Sequence, residues 1–256
     1  KDMVLETKQH HMIINDQHDT EQLENSTGEF SLMNTIIPSW TEIDTVLLDM
    51  DGTLLDLHFD THFWLEHVPR RYAETNDLPL VQAREQLLKR YRRAEGKLEW
   101  YCVDYWSEQL NLNIEVLKQE VDHLISVRPD VIDFLQALAD CGKRRTLVTN
   151  AHGKSLSLKM RKTPIGEHLD EIITAHDLGL PKENTEFWQK LQRIHPFSPD
   201  HTLLIDDSIN VLKSAERYGI AHLRAILQPN SMLEPDPHDH FVHIDRFADV
   251  MPNSTG

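Results

Sequence analysis

Cysteine, glycine and basic residues are all scarce in this chain of 256 residues. Two cysteines, Cys102 and Cys141, lie far apart and form no CxxC pair, which argues against a disulfide framework or a cysteine-based zinc site and favours a reducing compartment. Nine glycines and twelve prolines exclude collagen-like or low-complexity architecture. Lys and Arg total 26 against 42 Asp and Glu, a net charge of -16. We therefore expect no binding to nucleic acid or to an anionic membrane.

Long apolar runs are missing as well. No uncharged stretch approaches the roughly 18 residues of a membrane span, and no basic region followed by an apolar run opens the chain. We therefore expect a cytoplasmic protein without a signal peptide or membrane segment. Residues 1–32 are polar and acidic without a sustained period, which predicts a disordered tail or residues foreign to the native chain. The oligomeric state stays open.

Short apolar runs from Thr45 onwards predict strands that alternate with helices. The predicted strands are residues 45–48, 145–149, 171–174, 202–206 and, more weakly, 222–227. Apolar residues at helical spacing follow Pro129-Asp130 and, later, Ser208. Near-continuous apolar strands that alternate with helices are typical of a parallel sheet covered on both faces. The sequence thus predicts an α/β fold with a doubly wound, Rossmann-like sheet.

The connection between the first two predicted strands is unusually long. Residues 58–125 show helical patterns and no strand signal, and a crossover of that length is not a simple βαβ connection. We therefore predict two domains: a core formed by residues 33–57 and 126–256, and a helical domain formed by residues 58–125.

Candidate site residues stand at the carboxyl ends of the predicted strands, where open α/β sheets place their ligands. They are Asp49, Asp51, Thr149, Asn150, Lys182, Asp206 and Asp207. If the strand ends converge, several carboxylates share one crevice and repel each other unless a cation neutralises them. Mg²⁺ suits this donor set, because it prefers oxygen ligands and is commonly bound by carboxylates and substrate phosphate.

Asp49 and Asp51 can divide the chemistry of a phosphoryl transfer. Residues i and i+2 of an extended segment lie on one side, so one carboxylate can attack phosphorus while the other handles the leaving-group proton. Lys182 and the Thr149 hydroxyl could then hold phosphate oxygens and neutralise charge on the transferring group.

These motifs, in this order, resemble those of the haloacid dehalogenase (HAD) superfamily. The segment Asp49-x-Asp51-Gly-Thr53 is followed by Thr149, Lys182 and Asp206-Asp207. The resemblance implies that Asp49 is the nucleophile and Asp51 the general acid/base. It implies that Thr149, Asn150 and Lys182 bind phosphate, and that the helical insertion is a C1-type cap domain. Mg²⁺ would be held by Asp49, the Asp51 carbonyl and Asp207, with Asp206 in its second shell.

Within the superfamily, four segments resemble purine nucleotidases: residues 44–57, 100–110, 149–152 and 179–183. This resemblance implies hydrolysis of purine 5′-nucleoside monophosphates such as GMP and IMP, so a small-molecule nucleotide is the expected substrate. Leu57 stands where many HAD phosphatases have Ser or Thr, which loosens the analogy to sugar-phosphate enzymes and leaves the catalytic assignment untouched.

Two other functions stay open at this point. The same core could serve a phosphatase or phosphomutase acting on a sugar phosphate or another small phosphomonoester. A non-catalytic phospho-acceptor module also uses clustered acids, a Thr and a Lys on a doubly wound sheet. The spacing His238-x-His240-x-x-His243 is typical of a metal site, but 16 histidines make a chance cluster the better interpretation.

Overall fold

A computed structural model describes residues 39–252, and a parallel sheet of six strands lies at its centre. The strands are β1 (Thr45–Leu48), β2 (Arg144–Thr149), β3 (Glu171–Thr174), β4 (Thr202–Asp206), β5 (His222–Ile226) and β6 (Val242–Ile244). Their spatial order is β3-β2-β1-β4-β5-β6, and all neighbours pair in parallel. The predicted fold class is confirmed. The predicted tail, residues 1–32, lies outside the described residues.

Helices connect the strands and cover the sheet. The α-helices are α1 (His58–His62), α2 (Val68–Thr75), α3 (Leu80–Ala94), α4 (Val103–Leu110), α5 (Ile114–Glu120), α6 (Val131–Asp140), α7 (Gly153–Lys162), α8 (Ala175–Leu178), α9 (Thr185–Ile194) and α10 (Ile209–Tyr218). A π-helical turn, Phe63–His67, joins α1 to α2. Short 3₁₀ turns are Leu98–Tyr101, Asp122–Leu124, Ile165–His168, Pro199–His201 and Phe247–Val250.

Burial on both faces explains the apolar character of the central strands. Side chains alternate across β1, so Val46 and Leu48 pack with Phe134 of α6 on one face. Leu47 points to the opposite face and packs with Trp188 of α9. Every residue of β1 and β4 is buried, as a parallel sheet between two helix layers requires.

The register of the central strands brings their carboxyl ends to one edge. Leu48, the last residue of β1, lies opposite Leu147 of β2 and Ile205 of β4. The residues that follow these positions therefore leave the sheet side by side, which is where open α/β sheets place their ligand sites.

The helices between β1 and β2 have a hydrophobic cluster of their own. Its centre is the buried Trp106, whose ring contacts the rings of Trp64, Tyr91, Trp100 and Tyr105. Leu158 of α7 is the member of this cluster that comes from outside the helical segment. The aromatic residues of the segment thus pack against one another, while its definition as a separate domain, residues 58–125, stays a prediction.

The sequence missed one strand of the sheet. In β6 only Ile244 is buried, and the strand has three residues with a histidine at its centre, so no apolar run marks it. The five predicted strands are present, and β5 ends at Ile226, one residue before the prediction. Among residues 39–252, no helix combines the length and apolarity that crossing a membrane requires.

Candidate active site

Asp49 directly follows β1, at the edge of the sheet where the carboxyl ends of β1, β2 and β4 lie side by side. Its backbone N–H donates to the carbonyl of Ile205 at 3.0 Å, which continues the pairing of β1 with β4. The residue is only 6% exposed. A buried carboxylate needs partners, because removing a charge from water is costly unless it is paired.

Lys182 is the principal partner of Asp49. Its buried ammonium lies 2.5 Å from Asp49 Oδ1 and 2.7 Å from Asp206 Oδ2, and it also donates to the carbonyl of Val148 at 3.0 Å. The Lys182 backbone is held on both sides: its N–H donates to Asn150 Oδ1, and its carbonyl accepts from Ser214 Oγ. The structure therefore brings a cation from a loop 133 residues away onto the predicted nucleophile.

Asp206 and Asp207 complete a cluster of three carboxylates. One oxygen each of Asp49, Asp206 and Asp207 lie within 4.8 Å of one another. Both oxygens of Asp206 have protein partners, because the second oxygen accepts from the backbone N–H of Ser208 at 2.9 Å. Ser208 in turn caps α10, because its Oγ accepts from the N–H of Val211 at 3.4 Å.

Burial and mutual repulsion perturb these carboxylates strongly. Burial raises the pKa of Asp49 to about 6, against the lowering effect of the Lys182 ammonium. Burial also raises the pKa of Asp206. The pKa of Asp207 is held well above its usual value by burial and by the neighbouring Asp49 and Asp206 charges. One lysine therefore does not neutralise the cluster, and a further cation would stabilise its ionised form.

Asp51 faces a different cation, which sequence reasoning missed. Lys159 of α7 is buried and lies 2.6 Å from Asp51 Oδ1 and 2.5 Å from Asp60 Oδ2. Lys118 of α5, also buried, donates to Asp60 Oδ1 at 2.9 Å. Burial raises the pKa of Asp51 to about 6, although Lys159 opposes the shift. Burial acts likewise on Asp60, but Lys118 and Lys159 outweigh it and lower its pKa to about 2.

Thr149 is the last residue of β2 and Asn150 follows it, and their side chains have different hydrogen-bond partners. The buried Thr149 Oγ1 accepts from the N–H of Ala151 at 3.0 Å, which leaves its hydroxyl proton available to a ligand. The Asn150 side chain is engaged at both ends, since its amide donates to Glu183 Oε2 while its oxygen accepts from the Lys182 N–H. Asn150 therefore braces the Lys182 loop in the structure, and its contact with phosphate stays a prediction.

Two residues of the loop that follows Asp49, Gly52 and Thr53, bear on what the site can bind. Gly52 has φ +84°, and a Cβ there would lie 2.4 Å from Asp207 Oδ2, so only glycine lets the two loops approach this closely. The hydroxyl of Thr53 is fully buried and has no hydrogen-bond partner within the described part of the chain. A buried hydroxyl of this kind calls for a partner from outside the described residues, such as a water or a ligand.

Comparison with known proteins identifies the family. A sequence profile of haloacid dehalogenase-like hydrolases matches residues 43–219. The chain belongs to the haloacid dehalogenase-like hydrolase family. This HAD-like hydrolase is 37% identical over 215 residues to the GMP/IMP nucleotidase YrfG of Escherichia coli K12, covering 84% of this chain and 97% of that protein. The predicted family and the prediction of an enzyme are confirmed.

Solved structures agree on the fold. A HAD phosphatase from Thermococcus onnurineus superposes with a TM-score of 0.69 at 21% identity, covering 81% of this chain and 95% of that one. YfnB of Bacillus subtilis, solved with magnesium bound, gives a TM-score of 0.59 at 20% identity over 81% of this chain and 96% of that one. At these identities the comparison shows the shared fold alone.

Proposed function

We propose that this HAD-like hydrolase is a Mg²⁺-dependent phosphatase that hydrolyses purine 5′-nucleoside monophosphates, with GMP and IMP as substrates. The observation that carries the proposal is the meeting of the Asp49 carboxylate with Lys182, Asp206 and Asp207 at one edge of the sheet. The identity of 37% to a GMP/IMP nucleotidase supports the substrate class.

The residues present fit a magnesium ion. Asp49 and Asp207 would hold it, with Asp206 behind them because Lys182 and Ser208 already occupy its oxygens. An all-oxygen donor set with room for water and substrate phosphate is the environment Mg²⁺ prefers. Gly52 approaches Asp207 closely, and the Thr53 hydroxyl has no hydrogen-bond partner among residues 39–252; both are consistent with a site for a cation and a phosphate. When bound, the ion would neutralise charge on the phosphoryl group.

Phosphoryl transfer proceeds in two steps on this arrangement. A carboxylate oxygen of Asp49 bonds to phosphorus while the ester P–O bond breaks, and protonated Asp51 gives its proton to the departing 5′ oxygen. Asp51 then takes a proton from water, whose oxygen attacks phosphorus and releases phosphate and the Asp49 carboxylate. A pKa of about 6 lets Asp51 exist in both forms near neutral pH.

Lys182, Thr149 and Lys159 have supporting roles in the proposal. Lys182 keeps Asp49 ionised and, with the Thr149 hydroxyl, is placed to hold phosphate oxygens. Lys159 fixes the position of the Asp51 carboxyl and offsets part of the burial that favours its protonated form.

The helical segment is proposed to act as a cap over the nucleoside. Tyr101, in the turn before α4, donates to Glu183 Oε1 at 2.5 Å, and Glu183 follows Lys182 directly. Asp104 of α4 pairs with Lys154 of α7 at 2.7 Å. These contacts join residues 58–125 to the core next to the site, so that closure over substrate would exclude water from the phosphoenzyme.

A phosphate-release screen tests the function. We expect the purified chain with Mg²⁺ to release phosphate from GMP and IMP with a higher kcat/KM than from sugar phosphates, and to lose the activity in EDTA. The same panel of esters serves as its own control. Preference for a sugar phosphate would contradict the substrate assignment, and a stable phosphoprotein without turnover would contradict the enzyme mechanism.

Removing the space above Gly52 should disturb the metal site. We expect Gly52→Ala to weaken Mg²⁺ binding at least about tenfold, because the new Cβ displaces Asp207, and to destabilise the fold by roughly 1–2 kcal/mol through its positive φ. Gly142→Ala is the matched control, since Gly142 has φ +67° and open space around its Cβ position. Calorimetry of Mg²⁺ binding measures the difference, and equal affinities in the two variants would disprove this role of Gly52.

The stabilising effect of Mg²⁺ should depend on pH. The raised pKa values of Asp49, Asp206 and Asp207 mean that the folded protein binds more protons than the unfolded chain above the ordinary value of 3.8. Stability from these groups is present below that pH and is lost as the pH rises through about 6 and beyond. A cation that binds their ionised forms reverses this loss.

We therefore expect Mg²⁺ to raise the melting temperature more at pH 8 than at pH 5. The quantity to compare is the melting temperature in Mg²⁺ minus that in EDTA at the same pH. This difference cancels the effect of residues that titrate outside the cluster. Asp207→Asn should reduce this dependence on pH, whereas the same change at the exposed Asp200 should preserve it. If Mg²⁺ raises the melting temperature of the wild-type protein equally at both pH values, the cluster is not the magnesium site.

A further inference from the structure

A second group of metal-ligating side chains lies beside the candidate active site. One atom each of Cys102, His152 and His176 lie within 4.8 Å of one another. The three residues come from separate parts of the chain: Cys102 precedes α4 in the helical segment, His152 precedes α7, and His176 lies in α8. The carboxylate cluster uses none of them.

His176 has a buried ring nitrogen whose hydrogen-bonding capacity no other described residue uses. Its Nε2 is buried without a hydrogen-bond partner among the described residues. The backbone of Asn150 lies beside the ring and acts to raise the His176 pKa, against the larger lowering effect of burial. Histidine ligands commonly donate one ring N–H to a backbone carbonyl, which fixes the ring and leaves the second nitrogen for the metal.

His152 is the second imidazole of the group. Its Nδ1 accepts weakly from the N–H of Lys154 at 3.4 Å, a bond that a metal at this nitrogen would replace, and its Nε2 lies 3.8 Å from a carboxylate oxygen of Asp104. The rings of His152 and His176 are perpendicular, with centroids 5.0 Å apart. Burial lowers the pKa of both imidazoles, so both are neutral and able to bind a metal at pH 7.

We propose that Cys102, His152 and His176 form a site for a zinc-class divalent cation that ties the helical segment to the core. One thiolate and two imidazoles are a zinc donor set, and three protein ligands leave a fourth position open. The same donors disfavour Mg²⁺, which the carboxylate cluster suits. The sequence analysis argued against a zinc site because the two cysteines form no pair. That argument did not consider one cysteine combined with histidines from distant parts of the chain.

Occupation of this site would act on the Lys182 loop. The Asn150 backbone lies beside His176, and the Asn150 side chain accepts from the Lys182 N–H and donates to Glu183. Tyr101, adjacent to Cys102, reaches the same Glu183. A metal bond from Cys102 to both histidines would therefore hold residues 101 and 102 against the core and restrict the opening of the helical segment.

Cobalt binding tests the site without any substrate. We expect the full chain, in excess Mg²⁺, to bind one equivalent of Co²⁺ with the near-ultraviolet charge-transfer absorption of a thiolate ligand. Cys102 loses its thiol proton on binding, so calorimetry in buffers of different ionisation enthalpy should record the release of one proton. Cys141→Ser should keep the absorption. Cys102→Ser should lose it and weaken Zn²⁺ binding at least about tenfold, and serine keeps an oxygen that can cap α4.

The outcomes separate this site from the proposed function. No thiolate absorption in the wild-type protein, or an absorption that survives in Cys102→Ser, would overturn the proposal whatever the enzyme does. Binding without histidine involvement would also overturn it, and His176→Ala tests that point. One further measurement rests on the proposed function, because it uses GMP turnover. Zn²⁺ should lower kcat for GMP in the wild-type and Cys141→Ser proteins, and should have less effect in Cys102→Ser.

Discussion

Replacing Asp49 by asparagine is expected to abolish phosphate release from GMP and IMP. The amide cannot form the bond to phosphorus, and removing the nucleophile of a covalent hydrolase costs on the order of 10⁶ in kcat. We expect a loss of at least about 10⁴-fold in kcat, measured as inorganic phosphate in saturating Mg²⁺. The fold should survive, because asparagine has the same shape and removes one of the carboxylates that repel each other in the buried cluster.

The matched control is Asp44→Asn. Asp44 is exposed and lies five positions before Asp49, just ahead of β1. Its replacement removes the same charge from the same segment without entering the site, so kcat should stay close to the wild-type value. Wild-type turnover by Asp49→Asn would disprove the assignment of Asp49 as the nucleophile.

Replacing Lys182 by methionine is expected to reduce both stability and activity. Methionine fills much of the space but leaves Asp49 and Asp206 buried without their shared cation. Removing one partner of a buried ion pair typically costs about 3–5 kcal/mol of unfolding free energy. The pKa of Asp49 should also rise further, so that a smaller fraction of the nucleophile is ionised at neutral pH.

Urea unfolding in EDTA measures the stability effect. Lys89→Met is the control, because Lys89 is exposed on α3 and surface substitutions usually change stability by less than about 0.5 kcal/mol. The loss in Lys182→Met should shrink at acidic pH, where the two carboxylates take up protons. A loss no larger than that of Lys89→Met at pH 8 would contradict the role of Lys182 as the cation of the cluster.

The sheet and the carboxylate cluster could be predicted because their signals are local. Apolar runs that a parallel sheet buries on both faces mark β1 to β5, and the acids stand immediately after two of those runs. The carboxyl ends of parallel strands lie at one edge of the sheet, so the edge that holds the site could be predicted without any knowledge of the loops. The pairing of β1 with β4, which the structure shows, then brings Asp49 next to Asp206.

The second cation could not be predicted, because its contacts are not local. Lys159 lies 108 positions from Asp51, and it belongs to a helix whose other lysines are ordinary for a surface. A weak signal exists, since Lys159 shares a helix face with the buried Ser155 and follows the buried Leu158. Only the three-dimensional arrangement shows that this face meets Asp51 and Asp60.

Loop geometry also decided what the sequence left open at the end of β2. Thr149 and Asn150 are adjacent, and the family resemblance implied the same phosphate-binding role for both. The structure separates them, because Asn150 Oδ1 binds the Lys182 N–H whereas the Thr149 hydroxyl keeps a proton to donate. The group of Cys102, His152 and His176 was invisible for a similar reason, since its members are 24 or more positions apart.

Identification of the phosphorylated residue tests the central claim most directly. The protein is quenched in acid during turnover of GMP with Mg²⁺ and reduced with borohydride, which converts a phosphorylated aspartate to homoserine, and its peptides are sequenced by mass spectrometry. Our account predicts homoserine at position 49 and at no other acid, and none in Asp49→Asn. Homoserine at another aspartate, or its absence from wild-type protein that is turning over, would contradict the account.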